Sequence, residues 1–484
     1  MSAWKGRFRL GKTPTLSSVW TLGLVAGFLF LGSCRDVSIR DDRIGGKDPW
    51  LSRLSAGAWG KGREAELQKA LTERDFLELV LLRNRGLRAS YESWKASLQA
   101  AGAVGFLPEP KALIGVFLEP VETRVGPQRA FVRLGQAFPL TKRLSAQEEA
   151  AKERAEAQAA LFRQKSLDVL AEAKALIASY RFTEDALRIT QGHLDLLVGW
   201  SRVLVARFRT DKGRHPDLVR LQVEIGKLED QLASLKDLVG LRKARLNHLV
   251  DRASDAPFAL GKGKEGWTLA LPDPKEAEKL MAEANEELKA LGLMEKAAEA
   301  EIKVAQSTRT PDLDLGLRWV MTGEARNGSV AGSGDDPIAV ELGFRLPIQV
   351  SRYDSLERAA KRRRRAAREK LLERQNRLRS RLREDFYKAR DAARRLTLFR
   401  DTLLPKARES VQVQLQSFRA GKGNFLDLID AERVLLDFLL QRSRAQAEGE
   451  KARADLEALL GLTWGREKKK SAQDAVKETK RSGK

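Results

Sequence analysis

Apolar residues recur along this chain in two rhythms. Over about 143–207 and 350–417 they fall at helical spacing, with Leu396, Leu403, Val411 and Leu415 along one stripe. A helix over the second range would approach about 100 Å at about 1.5 Å per residue. Pro405 should kink it, because proline has no amide hydrogen to give. The other rhythm is a strict alternation. Asp312-Leu313-Asp314-Leu315-Gly316-Leu317-Arg318-Trp319 reads as a strand with one apolar face. A glycine-rich loop over 321–337 follows. The next strand puts Ile338, Val340, Leu342, Phe344, Leu346 and Ile348 on one side, and Ala339, Glu341, Gly343 and Arg345 on the other. Earlier in the chain Val132, Leu134 and Phe138 alternate with Arg133, Gly135 and Ala137, after a nearly all-apolar run over 112–118.

These elements occur twice. Phe208-Arg209-Thr210-Asp211-Lys212-Gly213 and Phe418-Arg419-Ala420-Gly421-Lys422-Gly423 lie 210 residues apart, and Asp217-Leu218-Val219 faces Asp427-Leu428-Ile429 at the same offset. Leu246 and Leu249 match Leu456 and Leu459. Upstream, Leu134-Gly135 and Pro139 match Leu342-Gly343 and Pro347, and Pro110 and Gly115 match Pro311 and Gly316. Matches in one order with small shifts mark a tandem duplication. Each copy reads as helix, strand, loop, strand, very long helix, turn, long helix. The boundaries are 70–255 and 275–462, with a linker over 256–274, and the first helix of copy two covers about 275–308.

The start of the chain adds an address. Residues 1–33 carry Lys5, Arg7, Arg9 and Lys12 without an acid, then an apolar stretch from Val19 to Leu31, then Gly32 and Ser33. This is the layout of an export signal, and the apolar run is shorter than the about 20 residues of a spanning helix. Leu31-Gly32-Ser33-Cys34 resembles the bacterial lipobox, and Cys34 is the one cysteine of the chain. That resemblance implies a covalent lipid on Cys34. Arg35 in place of the commonly retaining Asp implies sorting to the outer membrane. An ordinary signal peptide is the plainer reading of the same residues. An N-terminal periplasmic segment would follow over 34–69.

Charge changes the picture less than its size suggests. Among 484 residues, 89 Lys and Arg stand against 66 Asp and Glu, a formal net charge of +23. Such an excess suits nucleic acid or an anionic surface, but export argues against nucleic acid. The excess is densest over 358–383 and in the Lys-rich tail over 463–484, which lacks apolar periodicity and reads as disordered. The 358–383 stretch faces either anionic groups of the inner leaflet, a neighbouring acidic helix, or water.

Strands with one polar and one apolar face, in an exported protein, fit a membrane barrel whose lumen is polar. Four strands cannot close such a barrel, and a spanning sheet tolerates no open edge. The strands would therefore be pooled from several chains. On these residues the chain resembles the TolC-like outer-membrane efflux protein family over roughly 70–462. The most specific match is Phe418 to Arg433, flanked by Leu404-Pro405-Lys406-Ala407 and Leu459-Leu460-Gly461. The resemblance implies a mostly helical fold with a membrane β component. Duplicated long-helix hairpins form a trimeric α-barrel, and four strands per chain, including Val132, Leu134, Leu313, Leu315, Val340, Leu342 and Phe344, supply a 12-stranded barrel. It implies no enzyme but passive conduction in a homotrimer, with a periplasmic adaptor protein, an inner-membrane pump of the resistance-nodulation-division or a similar class, and outer membrane lipid as partners. The location would be the outer membrane of a Gram-negative bacterium, with a large periplasmic part.

Family roles carry over at few positions. Phe418, Gly421, Asp427 and Asp430, with Phe208 and Asp217 in copy one, match the periplasmic tip, where the tunnel constricts. Phe418 stands where an aromatic gate residue is common, and Asp427 and Asp430 match acids that ring the entrance in some members. The plainer reading of Asp427 is a helix cap. Copy one departs from the pattern, with Asp211 where Gly421 sits and His215-Pro216 before Asp217. No catalytic, metal or phosphate-binding motif is present: His193, His215 and His248 lack partners at ligand spacing. Two rival readings stay open, a lipid-anchored coiled-coil scaffold and an adaptor without a pore. Low aromatic content, 6%, favours the first, because membrane barrels carry aromatic girdles.

Overall fold

The computed structural model describes residues 71–209, 215–261, 272–326 and 330–461. The signal segment 1–33, Cys34, the 34–69 segment, Asp211 and the 463–484 tail lie outside the described residues. In chain order the elements are α1 Glu73–Arg83, α2 Arg85–Gly102, β1 Lys111–Thr123, β2 Gly126–Pro139, α3 Arg143–Arg209 and α4 His215–Leu249. Copy two gives α5 Pro274–Ala284, α6 Glu286–Ser307, β3 Asp312–Thr322, β4 Ile338–Phe344, α7 Val350–Leu398, a π-helical turn Phe399–Leu403, α8 Leu404–Arg419 and α9 Phe425–Leu459. Among the described residues one compact unit gathers 98–152 and 296–364, which includes all four strands; the other gathers the rest. No helix of the described residues is long and apolar enough to cross a membrane.

In the strand unit the sheet order is β1-β2-β3-β4, every neighbour antiparallel, so β2 and β3 join the two copies at the centre. Two expectations about strand ends are corrected. The first strand runs beyond 118 to Thr123, with a register shift between Val116 and Val121 around Pro120. The last strand stops at Phe344, short of Leu346 and Ile348, and Pro347 explains this because it cannot donate to a ladder.

The helical unit holds the larger core. Val169, Ala173, Ile177 and Tyr180 of α3 pack with Leu246 and Leu249 of α4 and with Phe76, Leu77 and Val80 of α1. In copy two Leu378, Leu382, Phe386 and Ala389 of α7 pack with Leu456 and Leu459 of α9 and with Ala277 and Met281 of α5. Each α3 residue of the first cluster has its α7 counterpart 209 residues on, so one packing scheme is built twice.

Two helix expectations are also corrected. The single helix expected over 275–308 is two helices, α5 and α6, parted at Asn285. Asn285 is extended and buried; its Oδ1 accepts from the amides of Glu287 (3.1 Å) and Leu288 (3.0 Å), and its Nδ2 donates to the Leu459 carbonyl (3.0 Å). An Asn side chain that bonds to nearby backbone competes with the helix ladder, hence the break. Asn84 does the same in copy one, accepting from Leu87 (2.9 Å) and donating to Leu249 (3.3 Å). The kink expected at Pro405 is a π-turn placed just ahead of it, in which the Leu404 amide donates to the Phe399 carbonyl. Helices take such a one-residue expansion where the regular ladder is interrupted.

Candidate functional site

The sheet separates its two faces over β3 and β4, while on the charged side β1 and β2 add the apolar Leu113, 52% exposed, and Phe131. The register places Ile114 and Val116 of β1, Val132 and Leu134 of β2, Leu313, Leu315, Leu317 and Trp319 of β3, and Val340, Leu342 and Phe344 of β4 on one side. The edge strands are the barest: Ile114 is 72% exposed and Val340 76%. Five such large side chains brought out of water would each contribute roughly 1.5–3 kcal/mol. A soluble sheet would not leave them uncovered.

The opposite face carries charge in neutral sets. Arg133 of β2 donates to Asp314 of β3 at 2.8 Å and to Glu341 of β4, and Arg318 of β3 lies 2.7 Å from the same Glu341. The Arg318 guanidinium also sits 5.1 Å from the centre of the Phe131 ring. Phe131 lies flat enough over β1 that only glycine fits beneath it, since a Cβ on Gly115 would stand 2.2 Å from the ring. Gly135, Gly316 and Gly343 share this face, which leaves room for the long charged side chains. The outer edges of β1 and β4 have no strand partner among the described residues.

The hairpin ends form the second constellation. Helix α8 ends at Ala420, Gly421 takes φ +71°, and the amides of Lys422 and Gly423 both donate to the Ser417 carbonyl at 3.0 Å. Gly421 thus supplies the left-handed residue that closes the helix end. Asn424, and not Asp427, caps α9: its Oδ1 accepts from the Leu426 amide at 3.2 Å. Asp427 sits in the first turn, exposed, where a carboxylate is favoured by the helix dipole. It has no ion-pair partner among the described residues. Asp430, also exposed, is engaged within the chain by Arg433 at 3.1 Å.

Phe418 packs against Phe425, ring centres 5.3 Å apart, within a cluster that includes Leu197, Leu204, Leu221, Leu428 and Ile429. Its copy-one counterpart Phe208 is exposed and meets His215 edge-on at 5.7 Å. Asp217 is half-buried in the first turn of α4. The two copies thus set Phe418, half-buried, against the core and leave Phe208 exposed.

Three features escape sequence reasoning. Glu432 of α9 is buried and His193 of α3 half-buried, with Nδ1 and Oε2 3.6 Å apart, longer than a hydrogen bond. Burial pushes the Glu432 carboxyl up and the His193 imidazole down, the latter opposed by Glu224. Glu224 itself is held low, first by the Arg433 hydrogen bond. The buried asparagines are a second feature, findable as Asn at matching positions of the repeat. The third is the choice among the three readings of the basic 358–383 stretch, which partly faces an acidic helix, one of those expected: Arg374 meets Glu287 at 2.6 Å and Arg368 meets Glu295 at 3.5 Å. Arg362, Arg363 and Arg365 remain exposed without an ion pair among the described residues.

Residues 279–462 match the family model described as outer membrane efflux protein. The fold is similar to that of the outer-membrane channel OprN, with a TM-score of 0.68 and 19% identity over 81% of this chain and 90% of that one. It is similar to the outer membrane protein VceC of Vibrio cholerae, with a TM-score of 0.66 and 15% identity over 80% and 96%. The open state of the MtrE outer membrane channel of Neisseria gonorrhoeae gives a TM-score of 0.62 and 19% identity over 80% and 88%. At these identities the likeness is one of fold. No curated protein matches the sequence.

Proposed function

We propose, for a chain whose residues 279–462 match the outer membrane efflux protein family model and whose fold is similar to those of outer-membrane channels, that it is a TolC-like outer-membrane conduit of a tripartite efflux or export system. Three copies close a 12-stranded barrel by pairing β1 of one chain with β4 of the next. Substrate passes without catalysis, driven by an inner-membrane pump of the resistance-nodulation-division or a similar class through a periplasmic adaptor. Cys34 carries the lipid that anchors the mature chain to the outer membrane of a Gram-negative bacterium. Asp427, free and exposed at the start of α9, rings the entrance three times over, and the hairpin ends carrying Phe208, Gly421 and Asp217 form the docking tip.

One observation carries this reading. The sheet has a bare apolar face, a face of paired charges, and two unpaired edges. Lipid would cover the first, a water-filled lumen would take the second, and closure with neighbouring chains would remove the third. The test is native mass measurement of the extracted protein, followed by reconstitution into planar bilayers. A three-chain mass with discrete conductance is expected. A monomer without conductance would overturn the conduit and leave the lipid-anchored scaffold.

A further inference from the structure

The two copies of the core differ around Phe258. In copy one, Phe258, from the segment after α4, wedges between Phe76 of α1 and Tyr180 of α3, its ring centre 5.3 Å and 5.8 Å from theirs at steep angles. In copy two the residues at the matching positions are Ala277 and Ala389. No described residue takes the place of Phe258. Among the described residues, what remains between the start of α5 and α7 is an open groove of about 460 Å³. Its floor is Leu382 and Phe386, and Tyr387, 68% exposed, stands at its side.

The rim of that groove is cationic. Lys275, Arg383 and Arg390 line it and are exposed, and none meets a carboxylate among the described residues. Arg383 and Arg390 are seven residues apart on α7, hence on one face, and the Arg390 guanidinium lies 5.7 Å from the Phe386 ring centre. The two acids of the groove are already used: Glu278 by Arg379 at 2.8 Å, and Asp391 by Arg394 at 2.6 Å. The α5 N-terminus opens at the same spot, capped by Asp273.

We infer that this groove binds an acidic, extended segment of a partner protein, which sets one apolar side chain on Leu382 and Phe386 and its carboxylates on Lys275, Arg383 and Arg390. The volume suits a short segment and not a globular face. Charge complementarity decides against the chain's own residues 462–484, which hold more Lys and Arg than Asp and Glu. A membrane surface would not reach an apolar floor set between two helices. The inference is independent of the conduit reading, because the groove is separate from the conductance that tests it.

The test is fluorescence anisotropy on the full-length purified protein. The probe is a labelled short peptide of Glu residues around one Phe, with the Gln counterpart as control. The Glu peptide should bind, weaken as salt rises from roughly 0.15 to 1 M, and weaken at least about tenfold in Arg383→Glu/Arg390→Glu. The milder Arg383→Gln/Arg390→Gln should weaken it too, with an unchanged circular dichroism spectrum. Arg362→Glu/Arg365→Glu, which removes unpaired arginines of the same helix outside the groove, should change nothing. Equal losses in the two Glu variants, or equal binding of the Gln peptide, would overturn the proposal. So would binding seen only after truncation at Gly461, which would give the groove to residues 462–484. A change of oligomeric mass in the groove variant would give it to a second copy and overturn it likewise.

Discussion

In the helical unit, apolar side chains such as Phe76, Leu221, Leu246 and Met281 are fully buried and arginines lie at the surface beside acids. In the sheet, aliphatic side chains such as Ile114, Val116, Val340 and Leu342 are exposed, while Arg133, Asp314 and Glu341 are half-covered by one another. The same chain thus obeys water in one region and inverts its rule in another. A buried aliphatic core needs only neighbouring helices. A bare aliphatic sheet face needs hydrocarbon, and polar pairs on its back need a wet interior. The contrast teaches that the solvent of each region can be read from which face carries the unsatisfied surface.

The sharpest way to break this contrast is to charge each face in turn. Val340→Arg puts a guanidinium on the bare face, at a cost of roughly 2–4 kcal/mol if it lies at mid-membrane depth. Ala137→Lys puts a cation on the other face, directly opposite Asp314 in the β2–β3 register. The first should abolish assembly in outer-membrane fractions, judged by heat-resistant oligomers on gels, and the second should leave it intact. Equal tolerance of both would mean that the bare face does not meet lipid.

A smaller effect separates the two copies. Asn84→Ala and Asn285→Ala each leave a buried carbonyl and at least one helix-start amide without a partner, at a cost of about 1–3 kcal/mol. Asn285 is the more buried and makes three bonds where Asn84 makes two. Its loss should therefore lower the thermal midpoint further, and hydrogen exchange should accelerate at Leu288 in Asn285→Ala and at Leu87 in Asn84→Ala. If only one substitution destabilises, the duplicated staple holds in one copy alone.

Most of the architecture was legible because it rests on period and repetition. Alternation at 312–319 and 338–344 specifies both strands and their faces, and the offset between Phe208 and Phe418 exposes the duplication before any contact is known. What stayed hidden depends on which side chain meets which. Asp427 and Asn424 are both ordinary caps by residue type, and only the turn geometry shows that Asn424 takes the role. Phe418 and Phe208 are equivalent in sequence, yet Phe425 draws one inward while the other stays outside. Asn285 looked like one polar residue in an Ala- and Glu-rich helix, because its partner carbonyl lies 174 residues away.

The smallest predicted effect lies at the half-buried His193 and the buried Glu432, where the helical unit departs from its own rule. Glu432 is 4% exposed, receives no hydrogen bond among the described residues, and burial raises its pKa; a carboxyl so placed is stabilised when protonated. An acid with a raised folded-state pKa weakens the fold as pH rises from its unfolded value through its folded one. His193, lowered by burial, adds the opposite trend, a loss of stability as pH falls below its unfolded value. The charged groups around the pair are Glu224, held low by Arg433 and then Lys227, and Asp430 on Arg433. Glu432→Gln removes the first trend and keeps the shape. It should raise the denaturation midpoint at pH 7.5 by a few degrees and by less at pH 5, because the wild-type carboxyl takes up its proton as pH falls and the cost of its buried charge falls with it. A gain equal at both pH values would show that Glu432 is neutral throughout, and a loss at pH 7.5 would show that the pair is an ion pair after all.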